Sequence, residues 1–409
     1  MSSKVLFLCD GYGKDNDATG ICVRNVAEEF QKRGYEVFCV FNSGKADCEF
    51  EKGNIKFYGV KEALYDRLKH CGDSSNPLKR VFFSLFSRIR HIVVAPFYPD
   101  VSFVRSRIFY KKALKIVRQE HIDTVIASYR PYEAIYSLIR LKKKFREKLC
   151  CVGYHLDLLT APNTVNKTIR NIQLMKVKKA IDREQRCVDL LVLPSVLDNE
   201  KFRFPNAKFA DFPIYNPDVK EVPFDLPYSG DYVNLVYIGS LNSQNRNPQY
   251  MVNMLDKIGS VSGKKVVWHI WGNVEQAVLE RIKLSEHVTY HGLLNNTNVY
   301  YALKKADFII NISNEQTLKM VPSKIFQSFS AKRPIVNIIS STEDVSIPYF
   351  ELYGDSLNVY KHQEECCNAR EIKDFLENKL SQDIKGNDDL LRKCTPTFFV
   401  DTFEEFRRQ

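Results

Sequence analysis

NISNEQTLKMVPSKIFQSFSAKRPIV, residues 311–336, is the stretch that decides the fold of this chain. An apolar, β-rich run, ADFIINIS, leads into it, and a second such run, PIVNII, ends it. Both runs are typical of buried parallel strands. Between them, Ser323 is a candidate N-cap for a helix with apolar residues on one face, namely Ile325, Phe326 and Phe329. The order strand, loop, helix, strand predicts a βαβ unit whose exposed amides suit a phosphate.

Lys324 falls in the first turn of that predicted helix. A cation there opposes the helix dipole and therefore indicates an anion that shares the site. The alternative interpretation is a solvated lysine on a surface helix.

Length and composition predict two domains without a membrane span. A chain of 409 residues suggests two domains of roughly 200 residues. No apolar run approaches the roughly 18 residues of a transmembrane helix, and Asp10 interrupts a first apolar run already too short for a signal peptide. The 11 cysteines are odd in number and show no pair of CxxC knuckles, so they read as reduced core residues. We therefore expect a cytoplasmic protein.

The net charge of +11 is concentrated in one region. Residues 79–148 contain 17 Lys and Arg against 5 Asp and Glu. This excess predicts a basic face for anionic lipid, an acidic acceptor or nucleic acid. No RNP, KH or helix-turn-helix pattern accompanies it, so we expect no nucleic-acid partner.

One segment within that region, KRVFFSLFSRIRHIVV, mixes bulky apolar residues with Arg80, Arg88 and Arg90. The mixture suits an interfacial helix at an anionic membrane. Such a helix would be a peripheral anchor on the inner face. The alternative is an ordinary amphipathic helix that packs its phenylalanines inward.

The N-terminal half reads as a doubly wound α/β domain. It opens with strand KVLFLC, a loop containing Gly13 and Gly20, a helix over residues 21–33 and strand EVFCVF. The loop is not GxGxxG, so it favours close approach of a substrate to the backbone over dinucleotide binding. His155 and Asp157 follow strand KLCCVGY, where ligands of such sheets bind, and either could position a hydroxyl. A structural histidine and a helix-capping aspartate are the alternative.

Residues 216–230, NPDVKEVPFDLPYSG, hold three of the 16 prolines and no helical periodicity. They predict a linker, after which the α/β rhythm restarts. We therefore divide the chain into an N-terminal acceptor-binding domain (1–215), a linker (216–231), a C-terminal donor-binding domain (232–390) and a terminal helix (391–409).

Three runs of the second half carry a resemblance to a known family. LVYIGSLNSQNRNPQYMV, VTYHGLL with YYALKKADFIINIS, and VPSKIFQSFSAKRPIV resemble the motifs of retaining nucleotide-sugar glycosyltransferases of the family 4 type. The last is similar to the PSK signature of many capsule and cell-wall polysaccharide transferases. The resemblance covers most of residues 233–360 and is thinner in the N-terminal half. It implies the GT-B fold: two Rossmann-like, doubly wound domains that face a central cleft, with the C-terminal helix crossing back to the N-terminal domain.

The resemblance also implies residue roles. Arg246, Ser323 and Lys324, with the amides from Val321 onward, would hold the donor diphosphate. The ribose would bind Gln327, and the base would contact Gly272, His291 and Leu293. Glu315 is the nearest carboxylate for the donor sugar. His155 and Asp157 would be the catalytic pair, facing the acceptor hydroxyl and the anomeric carbon.

Two positions depart from the family pattern. Ser240 replaces the first basic residue of the phosphate pair, so the diphosphate would depend on Arg246 and Lys324. The family's acidic pair, spaced eight apart, is Lys319 and Gln327 here. An amide bonds a ribose hydroxyl more weakly than a carboxylate does.

The implied reaction is hexosyl transfer, with retention, from a nucleoside-diphosphate sugar to a glycan acceptor, the acceptor being a polyprenyl-diphosphate-linked one in surface polysaccharide biosynthesis. A UDP-sugar is favoured over a GDP-sugar as donor. No cofactor and no metal are implied, because the acidic clusters DND (15–17) and NDD (387–389) lie in loops without supporting partners. The rivals are a non-catalytic GT-B subunit with a degraded donor site, and an epimerase or phosphorylase on the same fold.

Overall fold

The computed structural model describes residues 3–9, 18–44, 47–61, 68, 76–94, 98–99, 103–129, 132–156, 167–195, 207–211, 213–214, 222–316, 318, 321–380, 382 and 384–409. The chain forms two compact units. The first comprises Met1–Pro213 with Pro396–Gln409, and the second comprises Ile214–Thr395.

The N-terminal unit is built on an eight-stranded sheet with the order β3-β4-β2-β1-β5-β6-β7-β8. Its strands are β1 (Lys4–Leu8), β2 (Glu36–Gly44), β3 (Cys48–Lys52), β4 (Ile55–Lys61), β5 (Thr124–Ser128), β6 (Cys150–Tyr154), β7 (Leu190–Leu193) and β8 (Ala207–Phe209). Every pairing is parallel except that of edge strand β3 with β4. The central strands are buried on both faces, which is why they read as continuous apolar runs.

Five α-helices accompany this sheet within the described residues. They are α1 (Ala18–Lys32), α2 (Pro77–Val94), α3 (Phe103–Gln119), α4 (Tyr132–Phe145) and α5 (Lys167–Gln185). Helices α3 and α4 supply much of the core cluster below β1 and β5, through residues such as Phe109 and Leu138.

The C-terminal unit holds a seven-stranded sheet. Its strands are β9 (Tyr232–Ile238), β10 (Ser260–Val261), β11 (Lys264–Trp271), β12 (Val288–Tyr290), β13 (Phe308–Ile312), β14 (Ile335–Ile339) and β15 (Ser356–Tyr360). The order is β10-β11-β9-β13-β14-β15, with β12 also on β11, and only β10 pairs antiparallel. The chain runs outward from β9 to β11 and β12, then returns to β13 on the other side of β9. The carboxyl ends of β9 and β13 therefore meet at the topological switch point, where open α/β sheets bind ligands.

Seven helices belong to this unit. They are α6 (Gln249–Ile258), α7 (Gln276–Ile282), α8 (Asn296–Lys305), α9 (Lys324–Ser330), α10 (Ile347–Tyr353), α11 (Glu365–Lys379) and α12 (Asp388–Lys393).

The last helix, α13 (Pro396–Arg408), belongs to the N-terminal unit, as the predicted fold requires. Phe403 packs edge-on against Phe30 of α1, with ring centroids 5.2 Å apart. Arg33 pairs with Asp401 at 2.7 Å and Glu404 at 3.1 Å. An aromatic contact flanked by these ion pairs fixes α13 along α1.

The described part of the predicted linker, residues 222–231, packs against the C-terminal unit. The Val222 carbonyl accepts a hydrogen bond from Asn298 (3.1 Å), and the Tyr228 hydroxyl donates to the Ala302 carbonyl (3.0 Å). Both partners belong to α8, so these hydrogen bonds hold the segment against that helix. Among the described residues, no helix is long and apolar enough to cross a membrane.

Candidate functional site

A crevice opens in the C-terminal unit where β9 and β13 end. Its walls come from both strand ends, from α8 and from the start of α9. Two cationic side chains, Arg246 and Lys324, line it together with Gln327. The chain therefore brings together three of the predicted site residues at the switch point.

Arg246 is held in place by a short turn after β9. The Asn242 amide donates to the Arg246 carbonyl (3.2 Å), and the Arg246 Nε donates to Asn314 Oδ1 (2.8 Å). Asn314 follows β13 and is 1% exposed. The guanidinium also bonds the Tyr237 hydroxyl, whose pKa it lowers against the larger, raising effect of burial. These contacts fix the guanidinium beside the carboxyl ends of β9 and β13.

Lys324 shares the crevice with Arg246. Its pKa is lowered, first by desolvation and then by the like charge of Arg246. Lys324 is nevertheless exposed, because the crevice is open to water. The desolvation comes from the crevice walls that surround the ammonium group. Because a neighbouring cation destabilises the charge of Lys324, an anion bound between the two would be stabilising.

A buried carboxylate behind this pair was not predicted from the sequence. Asp344, which follows β14, accepts from the Ser346 amide (2.8 Å) and hydroxyl (2.7 Å), and also from Ser313. Burial raises its pKa, while these bonds and Arg246 lower it. The signal that could have identified this group is the run of polar residues after each buried strand.

Two buried polar atoms beside that group, Asn314 Nδ2 and Ser340 Oγ, have no hydrogen-bond partner among the described residues. Such atoms are rare in folded proteins and often mark a place where a ligand or water completes the bonding.

The remaining residues of the predicted diphosphate and sugar region are placed as follows. Ser323 is the N-cap residue of α9, as predicted, but it has helical dihedrals and its side chain makes no capping bond. Val321 is buried. The Glu315 carboxylate pairs with Lys361 at 2.6 Å. Lys319 lies outside the described residues.

Gly272 makes the turn after β11 possible. Its φ is +134°, and a Cβ there would lie 1.9 Å from the carbonyl oxygen of Gly239. Only glycine permits this close approach of two loops at the edge of the switch point. Leu293, in the neighbouring loop, is 80% exposed.

His291 ends a chain of hydrogen bonds that begins at Asp307. The Asp307 carboxylate accepts from Asn234 Nδ2 (3.0 Å), which leaves Asn234 Oδ1 to accept from His269 Nε2 (3.3 Å). His269 Nδ1 must then accept from His291 Nε2 (3.0 Å). This assignment leaves Nδ1 of neutral His291 as an acceptor.

Burial keeps both imidazoles neutral. Desolvation, aided by His291, lowers the pKa of His269 to about 4, and desolvation also lowers the pKa of His291. The His291 ring stacks on Trp271 with centroids 4.5 Å apart, which holds its orientation.

In the N-terminal unit, His155 directly follows β6 and is 5% exposed. Its Nε2 lies 2.8 Å from Glu184 Oε1, and its ring stacks on Tyr129. This environment favours a positioning role, and contact with an acceptor stays a prediction. Gly20 is buried within α1, while Gly13 and Asp157 lie outside the described residues.

Among the described residues, no three His, Cys, Asp or Glu side chains are grouped to hold an ion.

No protein-family model and no curated protein matches this sequence. Solved structures do match over the whole chain. An α,α-trehalose 6-phosphate synthase from Burkholderia multivorans is 11% identical, with 100% of this chain and 98% of that chain covered and a TM-score of 0.58. A protein described as a UDP-N-acetylglucosamine 2-epimerase from Listeria monocytogenes is 12% identical, with the same coverage and a TM-score of 0.55. WaaG, a glycosyltransferase involved in lipopolysaccharide biosynthesis, is 10% identical, with 98% and 95% covered and a TM-score of 0.50.

These similarities show the fold. The chain has the GT-B fold, with two α/β domains that each contain a mainly parallel sheet, as the sequence predicts.

Proposed function

We propose that this protein is a retaining hexosyltransferase that moves a sugar from a nucleoside-diphosphate sugar to a hydroxyl of a lipid-linked glycan in surface polysaccharide biosynthesis. The observation that carries the proposal is the pairing of Arg246 with Lys324 in one crevice at the switch point. Two cations at that edge of the sheet fit a diphosphate.

The chemistry follows from charge development. When the bond between the anomeric carbon and the diphosphate breaks, negative charge grows on the leaving phosphate. Cations already fixed in place stabilise this charge without reorganisation. The leaving phosphate can itself take the proton of the acceptor hydroxyl, so the reaction does not require a separate base such as Asp157.

We propose uracil as the base of the nucleotide-sugar donor. The acceptor atom on His291 suits the imide N–H of uracil or the ring N–H of guanine, whereas cytosine and adenine have acceptors at the equivalent ring nitrogens and could offer it only an exocyclic amino group. Between the first two, the family resemblance favours a UDP-sugar.

The first prediction concerns nucleotide binding. We expect UDP to raise the melting temperature of the wild type by several degrees more than CMP or ADP, with GDP intermediate, because a ligand that binds only the folded state stabilises it. Lys324→Ala should lose most of this increase, whereas Lys283→Ala, which removes an exposed lysine of the same unit, should keep it. Differential scanning fluorimetry measures both. No response to any nucleotide would favour the degraded, non-catalytic subunit.

One structural neighbour of this fold is described as an epimerase, so the epimerase alternative needs a test of its own. An epimerase converts the nucleotide sugar without an acceptor, whereas a transferase releases the nucleoside diphosphate only when an acceptor is present.

Helix α2 supports a place for this enzyme at a membrane. Six apolar side chains recur three or four residues apart on one face and are each more than half exposed, namely Leu78, Val81, Phe82, Leu85, Ile89 and Val93. At 100° per residue, Lys79 and Arg88 fall on opposite borders of this stripe. The helix contains no acidic residue. Phe82 is 59% exposed, which supports this interpretation over the alternative in which the phenylalanines pack inward.

An exposed apolar stripe with basic borders is the pattern of a helix that lies in a membrane interface. We propose that α2 docks on the anionic inner face of the cytoplasmic membrane, where a polyprenyl-diphosphate-linked acceptor would be presented.

The second prediction tests this docking. The triple variant Arg80→Glu, Arg88→Glu, Arg90→Glu is expected to bind phosphatidylglycerol vesicles about 100-fold more weakly, since each basic residue near such a surface contributes about 1 kcal/mol. Liposome flotation measures the bound fraction. The matched variant Arg281→Glu, Lys283→Glu, Lys385→Glu makes the same charge change on the C-terminal unit and should float like the wild type. Equal flotation of both variants contradicts the proposal.

A further inference from the structure

A second basic pocket lies in the helical layer of the N-terminal unit, apart from the proposed donor site in the C-terminal unit. Helices α3, α4 and α5 form its walls, with Ser106 and Ile139 at the base. Four cationic side chains line it, one each from α3 and α5 and two from α4: Arg107, Arg183, Arg140 and Lys143. No carboxylate is among the described residues of its lining.

The four cations have no counter-charge within the described structure. None of them makes an ion pair or hydrogen bond with a described residue, although seventeen such ion pairs occur elsewhere in these parts of the chain. By contrast Lys142, the neighbour of Lys143, pairs with Asp189 at 2.7 Å. The helices therefore gather like charges around one concave surface, and no described carboxylate forms an ion pair with them.

Two aromatic rings restrain the side chain of Arg140. Its guanidinium lies 4.2 Å from the ring centroid of Tyr110 and 5.7 Å from that of Tyr136. Contact with aromatic faces restrains the side chain and leaves the N–H groups at the guanidinium edge available to an acceptor. Lys143 lies one turn further along the same face of α4.

We propose that this pocket binds a phosphate-bearing group, with Arg140 as its central ligand and Lys143, Arg107 and Arg183 around it. Three guanidinium groups and an ammonium match the several charges and oxygens of a phosphomonoester or diphosphate better than those of a single carboxylate. The group belongs either to a soluble phosphorylated molecule or to the headgroup of an anionic lipid, and both sources use the same chemistry.

The test uses the full chain carrying Lys324→Ala, so that the donor site contributes little to binding. A failure of the proposed donor site is then distinguishable from a failure of the pocket proposal. Inorganic pyrophosphate is titrated by calorimetry at constant ionic strength. The double variant Arg140→Gln, Lys143→Gln should bind it roughly tenfold more weakly or worse, because two charge-assisted contacts are lost. The control Arg118→Gln, Lys144→Gln removes two exposed cations of the same helices that do not line the pocket, and it should bind normally.

The second arm uses phosphatidylcholine vesicles with and without phosphatidylglycerol. Pyrophosphate binding that depends on the pocket supports a soluble ligand. Absent pyrophosphate binding, combined with weaker sedimentation of the pocket variant with phosphatidylglycerol vesicles only, supports a lipid headgroup. The proposal is overturned if the pocket variant and its control behave alike with both probes.

Discussion

Arg246→Gln is expected to lower kcat/KM for sugar transfer by about 100- to 1,000-fold, the usual effect of removing a preorganised donor to a developing oxyanion. The guanidinium is anchored by Asn314 at 2.8 Å and faces the same crevice as Lys324. The variant keeps an amide but loses the charge, so the leaving diphosphate would be stabilised by Lys324 alone. The measurement is release of the nucleoside diphosphate from the donor identified by thermal shift.

The matched control is Arg281→Gln, an exposed arginine of α7 outside the crevice. It should retain wild-type kcat/KM. Circular dichroism of both variants confirms folding, because Asn314 would lose a bond in one of them. If Arg246→Gln keeps activity within a few-fold of the wild type, the crevice does not hold the leaving group and the proposed function is wrong.

The fold could be predicted because its signals are local. Buried parallel strands such as β1 and β13 read as short apolar runs, and the helices between them follow from periodicity and glycine stops. The return of α13 to the first domain came from the family resemblance, and the contact of Phe403 with Phe30 gives its physical basis. Edge strands β3 and β10 were missed, because β10 has only two residues and most of β3 is exposed, so neither forms a buried apolar run.

The site was predictable only in part, for a physical reason. Lys324 stood out because a cation in the first helical turn opposes the helix dipole, whereas Arg246 was identified from the family resemblance. Asp344 and Asn314 did not, because their significance arises when the ends of β9, β13 and β14 are brought side by side. No local pattern relates residues that far apart in sequence.

The chain from Asp307 to His291 shows the same limit. Asn234, His269 and His291 come from different strands and loops, and only the parallel register of β9, β11 and β12 places them in line. A histidine inside KKVVWHIWG looks like any other strand residue from sequence alone.

That chain leads to a second large effect, on stability. Burial lowers the pKa of His269 to about 4, while an unfolded histidine titrates near 6.5. Between these values the unfolded state binds the proton and the folded state does not, so the stability is fully present above pH 6.5 and falls as the pH is lowered. From pH 7.5 to pH 5 we expect the free energy of unfolding of the C-terminal unit to fall by about 2 kcal/mol from this group.

The chain supplies its own reporter, because both tryptophans, Trp268 and Trp271, flank His269 in β11. Urea unfolding followed by tryptophan fluorescence therefore reports on this unit. His269→Gln should remove the titrating ring and most of the slope above pH 5, where most carboxylates have not yet titrated, while His291, whose pKa is also lowered, contributes the remainder. His362→Gln, which alters an exposed histidine of the same unit, should keep the wild-type slope. Parallel profiles for wild type and His269→Gln would show that the buried ring is not the source of the pH dependence, and the tautomer assigned to His291 would lose its support.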